Sequence, residues 1–349
     1  MHPPAILNSA LLLFTLAMAP CASAAPDAPE APHAAPRVEA APVPQQAPPP
    51  APQWEVTGRR IALADDSKRL LAIVEPDGRI SWRQPVGPIH DLHVLDNGHV
   101  LFQKDFKRIV EMAPDGRVVW SYDASQANGN AGKPVEVHAF QRLADGRTMI
   151  AESGPARIIE VDAQGRVQHE LKLKVNHPHP HRDTRLARKL PGGNYLVCHE
   201  GDGAVREYRP TGEVAWEYDV PLFGKPRRGG HGVDAWGNQV YGALRLPSGN
   251  TLIATGNGHS VIEVTPSKEI VWHLKQDELP GIRLAWVTTL QVLSNGHIVI
   301  GNCHAGPGNP QVIEIDRAKR VVWRFRDFER FGDSLPTSQV LGLGAPSLR

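Results

Sequence analysis

Leu95-Asp96-Asn97-Gly98-His99-Val100-Leu101-Phe102 and, shortly after, Arg108-Ile109-Val110-Glu111-Met112-Ala113-Pro114-Asp115-Gly116-Arg117-Val118-Val119-Trp120 are the two phrases that decide the fold. Both recur. Leu-x-x-Gly returns at Leu143 to Gly146, Leu190 to Gly193, Leu246 to Gly249 and Leu293 to Gly296. Glu placed nine residues before a ring side chain returns as Glu160 to His169, Glu207 to Trp216, Glu263 to Trp272 and Glu314 to Trp323. An earlier copy keeps Trp82 but has Ile73 in the Glu place. A fixed period of this length marks a repeat architecture and outweighs local propensity.

Within one copy the apolar residues alternate with a period of two, as strands require. Pro-Asp-Gly, Asp-Asn-Gly and Pro-Ser-Gly separate them, supplying the fixed or positive φ of tight turns. Four short antiparallel strands in about 40 to 50 residues make a β-propeller blade. The first copy starts one strand late, at Arg60-Ile61-Ala62-Leu63-Ala64, while Thr337-Ser338-Gln339-Val340-Leu341 is left over at the far end and reads like Thr289-Leu290-Gln291-Val292-Leu293. The late strand is therefore expected to complete the first blade, giving an all-β, six-bladed propeller over 54–349 with no free sheet edge at the closure. The repeat Trp is expected to pack between blades, and the repeat Glu to pair strands or blades, being too regular for catalysis. His99 and His297, just after a turn Gly, read as solvated strand residues.

With 38 Lys and Arg against 37 Asp and Glu, spread along the chain, no electrostatic footprint for nucleic acid exists. Residues 1–24 read as a secretory signal: an apolar run from Ile6 to Ala19, then Ala22-Ser23-Ala24 as a small-x-small cleavage pattern. Cys21 raises lipid anchoring as a second reading. Residues 25–53 are mostly Ala and Pro, a composition for an extended tether. A periplasmic or secreted location is expected, with no transmembrane segment. Cys198 and Cys303 fall in non-adjacent blades and are not expected to form a disulfide.

In a propeller the start of each innermost strand and the end of the second strand share one mouth of the central channel. Five residues before each repeat Leu stand His90, His138, Arg185, Tyr241 and Thr288, with Pro336 in the closing blade. After the second strand come Lys104, Glu152, Cys198-His199-Glu200, Asn257-Gly258-His259 and Cys303-His304; longer loops add His177 to Asp183, His231 and Arg283 to Trp286. Nearly every His of the repeat region then maps to one end of the channel. His90, His138, His181, Arg185, His199, His231 and His304 are the candidate catalytic residues, and Arg182, Tyr241, His259, Arg283 and Trp286 the candidate ligand contacts. One reading is a divalent transition metal held by His90, His138, His199 and His304. A second is metal-free chemistry on a small polar or anionic ligand, with Arg clamping oxygens and His serving as nucleophile or acid/base. The third is that these groups merely tie blades together, leaving a ligand- or protein-binding scaffold.

The phrase Ile89-His90-Asp91-Leu92-His93-Val94-Leu95-Asp96-Asn97-Gly98, with Glu111 to Trp120 after it, resembles the repeats of bacterial arylsulfotransferases. That resemblance implies a periplasmic six-bladed propeller in which a channel His is transiently sulfurylated. His90 and His138 match the family's His-x-x-x-x-Leu-x-x-Gly phrase, whereas Arg185 and Tyr241 depart from it. The Gly-x-x-x-Trp endings, Gly78 to Trp82 and Gly116 to Trp120, are similar to PQQ-like repeats. The fuller docking motif of quinoprotein dehydrogenases is incomplete here, so PQQ itself is not expected as a cofactor.

Overall fold

The computed structural model describes residues 58–342 and 348–349; the expected signal segment, the expected tether and Cys21 lie outside them. Turn chemistry cuts the chain into strands at regular intervals. Gly98 and Gly116, at φ +80° and +88°, occupy the left-handed backbone that their turns demand. Blade 1 holds β1 (Arg60–Asp65), β2 (Leu70–Val74) and β3 (Ile80–Pro85); blade 2 holds β4 (Leu92–Val94), β5 (Val100–Asp105), β6 (Arg108–Met112) and β7 (Val118–Asp123). Blade 3 is β8 (Glu136–Arg142), β9 (Thr148–Ser153), β10 (Arg157–Val161) and β11 (Val167–Lys172); blade 4 is β12 (Ala187–Lys189), β13 (Tyr195–His199), β14 (Ala204–Tyr208) and β15 (Val214–Asp219). Blade 5 is β16 (Gly242–Arg245), β17 (Thr251–Ala254), β18 (Val261–Val264) and β19 (Ile270–Leu274); blade 6 is β20 (Trp286–Val292), β21 (Ile298–Cys303), β22 (Val312–Ile315) and β23 (Val321–Phe325). A last strand, β24 (Thr337–Leu341), pairs antiparallel with β1 from Arg60 opposite Leu341 to Ala64 opposite Thr337. It completes blade 1, so each of the six sheets has four antiparallel strands and the protein is a six-bladed β-propeller.

Six apolar clusters fill the six seams between blades. Leu101, Ile109 and Tyr122 of blade 2, for example, meet Val137, Phe140, Ile150 and Ile159 of blade 3. Around the rim, the repeat Glu adds a second fastening. Glu111 pairs with Arg142, Glu160 with Lys189, Glu207 with Arg245, Glu263 with Arg317 and Glu314 with Arg59, so each carboxylate reaches a cation beyond its own blade. The residue just after each turn Gly reaches the same carboxylate from within the blade: His99, Arg147, Asn194, Asn250 and His297, at 2.6 to 2.8 Å. His99 and His297 are thus partners of the repeat Glu, not the solvated strand residues expected. Strand alternation had placed them outward without accounting for the carboxylate that waits on the neighbouring strand.

The repeat Trp closes the same joint. Trp120, Trp216 and Trp272 donate their indole N–H to the backbone carbonyls of Ala163, Pro266 and Arg317 in the next blade, at 3.0 to 3.1 Å. The guanidiniums of Arg142, Arg245 and Arg317 lie over those indoles at 4.9 to 5.1 Å. Between blades 1 and 2 the fastening is apolar: Ile73 replaces Glu, and Trp82 meets Phe102 edge-on at 6.2 Å.

Glu160 is fully buried while Lys189 and Arg147 keep partial solvent access. Glu160→Ala is expected to lower the unfolding free energy by about 2–3 kcal/mol, the usual scale for losing charge-assisted hydrogen bonds. Denaturant titration checks this, and a loss below ~1 kcal/mol would mean that the apolar seam alone fastens blades 3 and 4.

Candidate functional site

The inner strands start at one mouth of the channel, and the register that sets each repeat Leu also sets the residue five positions earlier. His90, Arg185, Tyr241 and Pro336 accordingly line one cavity of about 320 Å³. Loop residues His181 and His231 join them, as do Trp286, Cys303 and His304. Asp66, Phe106 and Ser334 complete much of the wall. Leu186, Tyr241, Trp286 and Cys303 form an apolar floor.

His138 stands directly behind His90, with the two Nδ1 atoms 2.8 Å apart. Glu136 Oε2 accepts from His181 Nδ1 at 2.6 Å and lies 3.1 Å from His138 Nε2, an oblique contact. Phe106 packs on all three imidazoles, with ring centroids 4.7 to 5.1 Å away. Those contacts assign the protons. With the carboxylate beside it, though in no well-aligned hydrogen bond, His138 Nε2 is assigned the proton; His138 Nδ1 is then the acceptor and His90 Nδ1 the donor. His90 Nε2 is left with a lone pair and has no hydrogen-bond partner among the described residues. Burial and the Arg185 charge hold His138 down to about 3, and burial first, then Arg185, keeps His90 well below the usual imidazole range. Glu136 is held far below the usual carboxylate range by His138 and His181 despite the cost of burial. The chain Glu136, His138, His90 is therefore one carboxylate followed by two neutral imidazoles.

Two further groups tune the site. Arg185 is buried, forms an ion pair with Glu200 and donates to the backbone carbonyl of His181. Asp66 is pushed up to about 7, mainly by burial, with Asp65 adding to the effect, while the Ile89 N–H at 2.9 Å and Arg185 oppose it. At the outer lip His231 stacks on His304 at 5.1 Å and meets Trp286 edge-on at 4.5 Å. Burial lowers both imidazoles.

Other expected residues stand elsewhere. His199 is buried against the next strand: its Nδ1 donates to the Asp183 carbonyl at 2.7 Å and its Nε2 meets the Tyr208 hydroxyl at 2.8 Å. With both nitrogens engaged, it is no metal ligand as it stands. The quartet His90, His138, His199, His304 does not converge. His259 is buried too, with Nε2 on the Ala235 carbonyl at 2.6 Å. Arg283 reaches out to Asp234 and Asp277, and Arg182 lines a neighbouring pocket. Glu152 is bound to Arg157 within its own blade and accepts from the Tyr122 hydroxyl of blade 2 across the seam. Burial raises both thiols, Cys198 and Cys303, so neither is a thiolate; both are free. Nor do nearly all histidines gather at one end: His93 lines a different pocket, with Arg188 and Arg349, and His99, His169, His273 and His297 lie on the blades.

The side chains that do converge as metal donors are Glu136, His138 and His181, whose ligand atoms lie within 4.8 Å of one another. Three donors with room beyond them suit a divalent transition ion. A planar quinone such as PQQ fits less well, because the rings around His90 and His138 stand at 37° to 87° to one another and leave no parallel-walled slot. Glu136 and Asp66 were not among the expected residues. Both had a signal: Glu136 is two residues before His138, hence on the same side of a strand, and Asp66 follows the second strand of blade 1 as His304 follows that of blade 6.

Among solved structures, a protein of unknown function from Bacteroides caccae is 24% identical, with a TM-score of 0.66 over 81% of this chain and 98% of that one. Streptogramin B lyase is 13% identical, with a TM-score of 0.53 over 81% and 90% of the two chains. A catalytically inactive virginiamycin B lyase from Staphylococcus aureus with quinupristin is 13% identical, with a TM-score of 0.51 over 79% and 86%. At these identities the likeness is one of fold. No curated protein matches the sequence. Residues 66–325 match the PQQ-like repeat family model described as outer membrane protein assembly factor BamB, and the chain belongs to that family.

Proposed function

We propose that the channel mouth is a catalytic site acting on a small anionic ligand, by group transfer through His90. The observation that carries this reading is the row Glu136, His138, His90, in which the carboxylate lies 3.1 Å from His138 and a hydrogen bond joins the two imidazoles, ending on a cavity-lining imidazole whose Nε2 is unpartnered among the described residues. A nucleophile, a base that orients it and a carboxylate that orients the base are the working parts of nucleophilic catalysis. Here the first two are both imidazoles. With an aryl sulfate, His90 Nε2 attacks sulfur; the N–S bond forms as the bond from sulfur to the aryl oxygen breaks. Asp66, about half protonated at neutral pH, gives its proton to the departing phenolate. The positive charge left on His90 is shared through Nδ1–H with His138 and balanced by Glu136. An acceptor hydroxyl then takes the sulfuryl group and returns a proton to Asp66. Arg185 supplies positive potential beside the oxygens. The arylsulfotransferase resemblance at His90 and His138 supports this chemistry, and the secretory pattern expected of residues 1–24 is in keeping with its taking place outside the cytoplasm.

A second reading rests on Glu136, His138 and His181 as a divalent-metal site in a lyase or hydrolase. The two readings exclude each other at His138, because Nε2 cannot both carry a proton toward Glu136 and ligate a cation. A non-enzymatic scaffold, as the family's description as an assembly factor would suggest, needs neither.

With 4-nitrophenyl sulfate as donor and phenol as acceptor, His90→Ala is expected to lower kcat/KM by about 10³-fold or more and Glu136→Gln by about 10²–10⁴. Both variants matching the wild-type rate would end the nucleophilic reading; loss of activity on dialysis against EDTA, restored by zinc, would select the metal reading instead.

The pH profile gives an independent check. His90 titrates well below neutrality, so the base is ready across the physiological range, whereas Asp66 must be protonated to act as the acid. kcat/KM is expected to fall as pH rises through about 7, and Asp66→Asn is expected to abolish that alkaline limb at a lower overall rate. An unchanged limb in the Asn variant would remove Asp66 from the mechanism.

A further inference from the structure

A second cavity, of about 380 Å³, lies against the first and is lined by three guanidiniums, Arg182, Arg227 and Arg228, with His177, Asn238 and Gln239. Two loops tie it to the funnel. His181 lines the funnel and Arg182 the second cavity; likewise His231 lines the funnel while Arg227, Arg228 and Gly229 line the second cavity. Glu200, on the wall of the second cavity, is the ion-pair partner of Arg185 on the wall of the first.

The charge balance of this cavity is one-sided. Its two carboxylates are already used: Glu200 by Arg185 and Gln239, and Asp202 by Arg206, His177 and the N–H groups of Asn176 and His177. None of Arg182, Arg227 and Arg228 has a carboxylate within ion-pair distance among the described residues. Arg227 donates to the Asn238 side-chain oxygen at 3.0 Å, and Arg228 to the Asp234 carbonyl at a long 3.5 Å. Elsewhere on this protein an exposed Arg commonly finds an acid of its own turn, as Arg108, Arg166 and Arg320 do. Three guanidiniums left without counter-charge around one concavity are what a tetrahedral oxyanion or a carboxylate requires, since each can offer two parallel donors.

We propose that this pocket binds a second oxyanion group of the same ligand whose first anionic group enters the funnel, so that the substrate is an organic molecule bearing two anionic groups. This rests on the funnel being a ligand site. Binding energy collected at the remote group would then be available to orient the reacting one.

The test separates the two cavities by equilibrium binding, with no need for turnover. Benzene-1,3-disulfonate and benzenesulfonate are titrated calorimetrically into the full chain, into R227Q/R228Q and into H90A. The disulfonate is expected to bind wild type at least about tenfold more tightly than the monosulfonate, with the advantage lost in R227Q/R228Q. Inorganic sulfate should still bind H90A and lose at least about tenfold in affinity in R227Q/R228Q. Equal affinities of the two sulfonates for wild type, or a disulfonate advantage that survives R227Q/R228Q, overturns the proposal. Sulfate binding lost in H90A but kept in R227Q/R228Q also overturns it, while leaving the funnel chemistry standing. Arg227 and Arg228 are exposed, and an unchanged melting temperature of the double variant confirms that its fold is intact.

Discussion

A four-stranded blade of this protein is apolar on both faces, and that single constraint organises everything else. Neither face can be buried by the blade itself, so each blade needs a neighbour on both sides and the row must close into a ring. Closure falls to β24, which hydrogen-bonds to β1 and leaves no blade short of a strand. The seams are then fixed in rotation by the rim. A carboxylate held from within its blade by the residue after the turn Gly reaches a cation beyond it, and an indole donates to the next blade's turn. The apolar clusters supply most of the burial, but being non-directional they would tolerate sliding. The joint of Glu, cation and Trp is directional and sets the angle between blades.

That angle matters because it aims the inner strands. Groups far apart in sequence, at positions 66, 90, 185, 241 and 304, come to one cavity, with His138 behind His90, only because the blades deliver their strands to the same depth. The site's electrostatics follow from the same crowding. Burial takes the imidazoles of His90 and His138 out of water beside the Arg185 guanidinium, and both effects disfavour a proton. Glu136 is the one anion placed to counter them at His138. It fixes which nitrogen carries the proton more than it raises the affinity for a second one.

Much of this was legible in the sequence. The strand count, the closure and the convergence of His90, His138, Arg185 and Tyr241 follow from register, and register is carried by the turn glycines and the repeat Leu. What failed was direction at strand ends. His199 ends β13 and turns into the seam toward Asp183 and Tyr208, while His304, one residue past β21, reaches the cavity from a backbone at φ +58°. A period-two pattern stops at the last strand residue and does not say which way the next side chain leaves. The reach of His99 and His297 to the repeat Glu was missed for a related reason. Alternation names a face, whereas the partner on that face belongs to another strand.

The channel interior and its mouth differ in how fully their polar groups are satisfied. Inside the channel, next to His90, Asp91 accepts from Leu92 N–H, Phe140 N–H, both terminal nitrogens of Arg188 and, at 3.4 Å, His93. Its charge is held far below the usual carboxylate range by Arg188 and His93 in spite of full burial. A buried anion with that many donors has nothing left to offer a ligand; it pins blades 2, 3 and 4 together. At the mouth the pattern reverses. Among the described residues His90 Nε2 has no hydrogen-bond partner and Arg182, Arg227 and Arg228 face a cavity without a carboxylate in ion-pair distance, while burial holds Asp66 up to about 7. Folding stability alone favours saturating such groups, as it has at Asp91, and the places where a protein leaves them open are where another molecule completes the set.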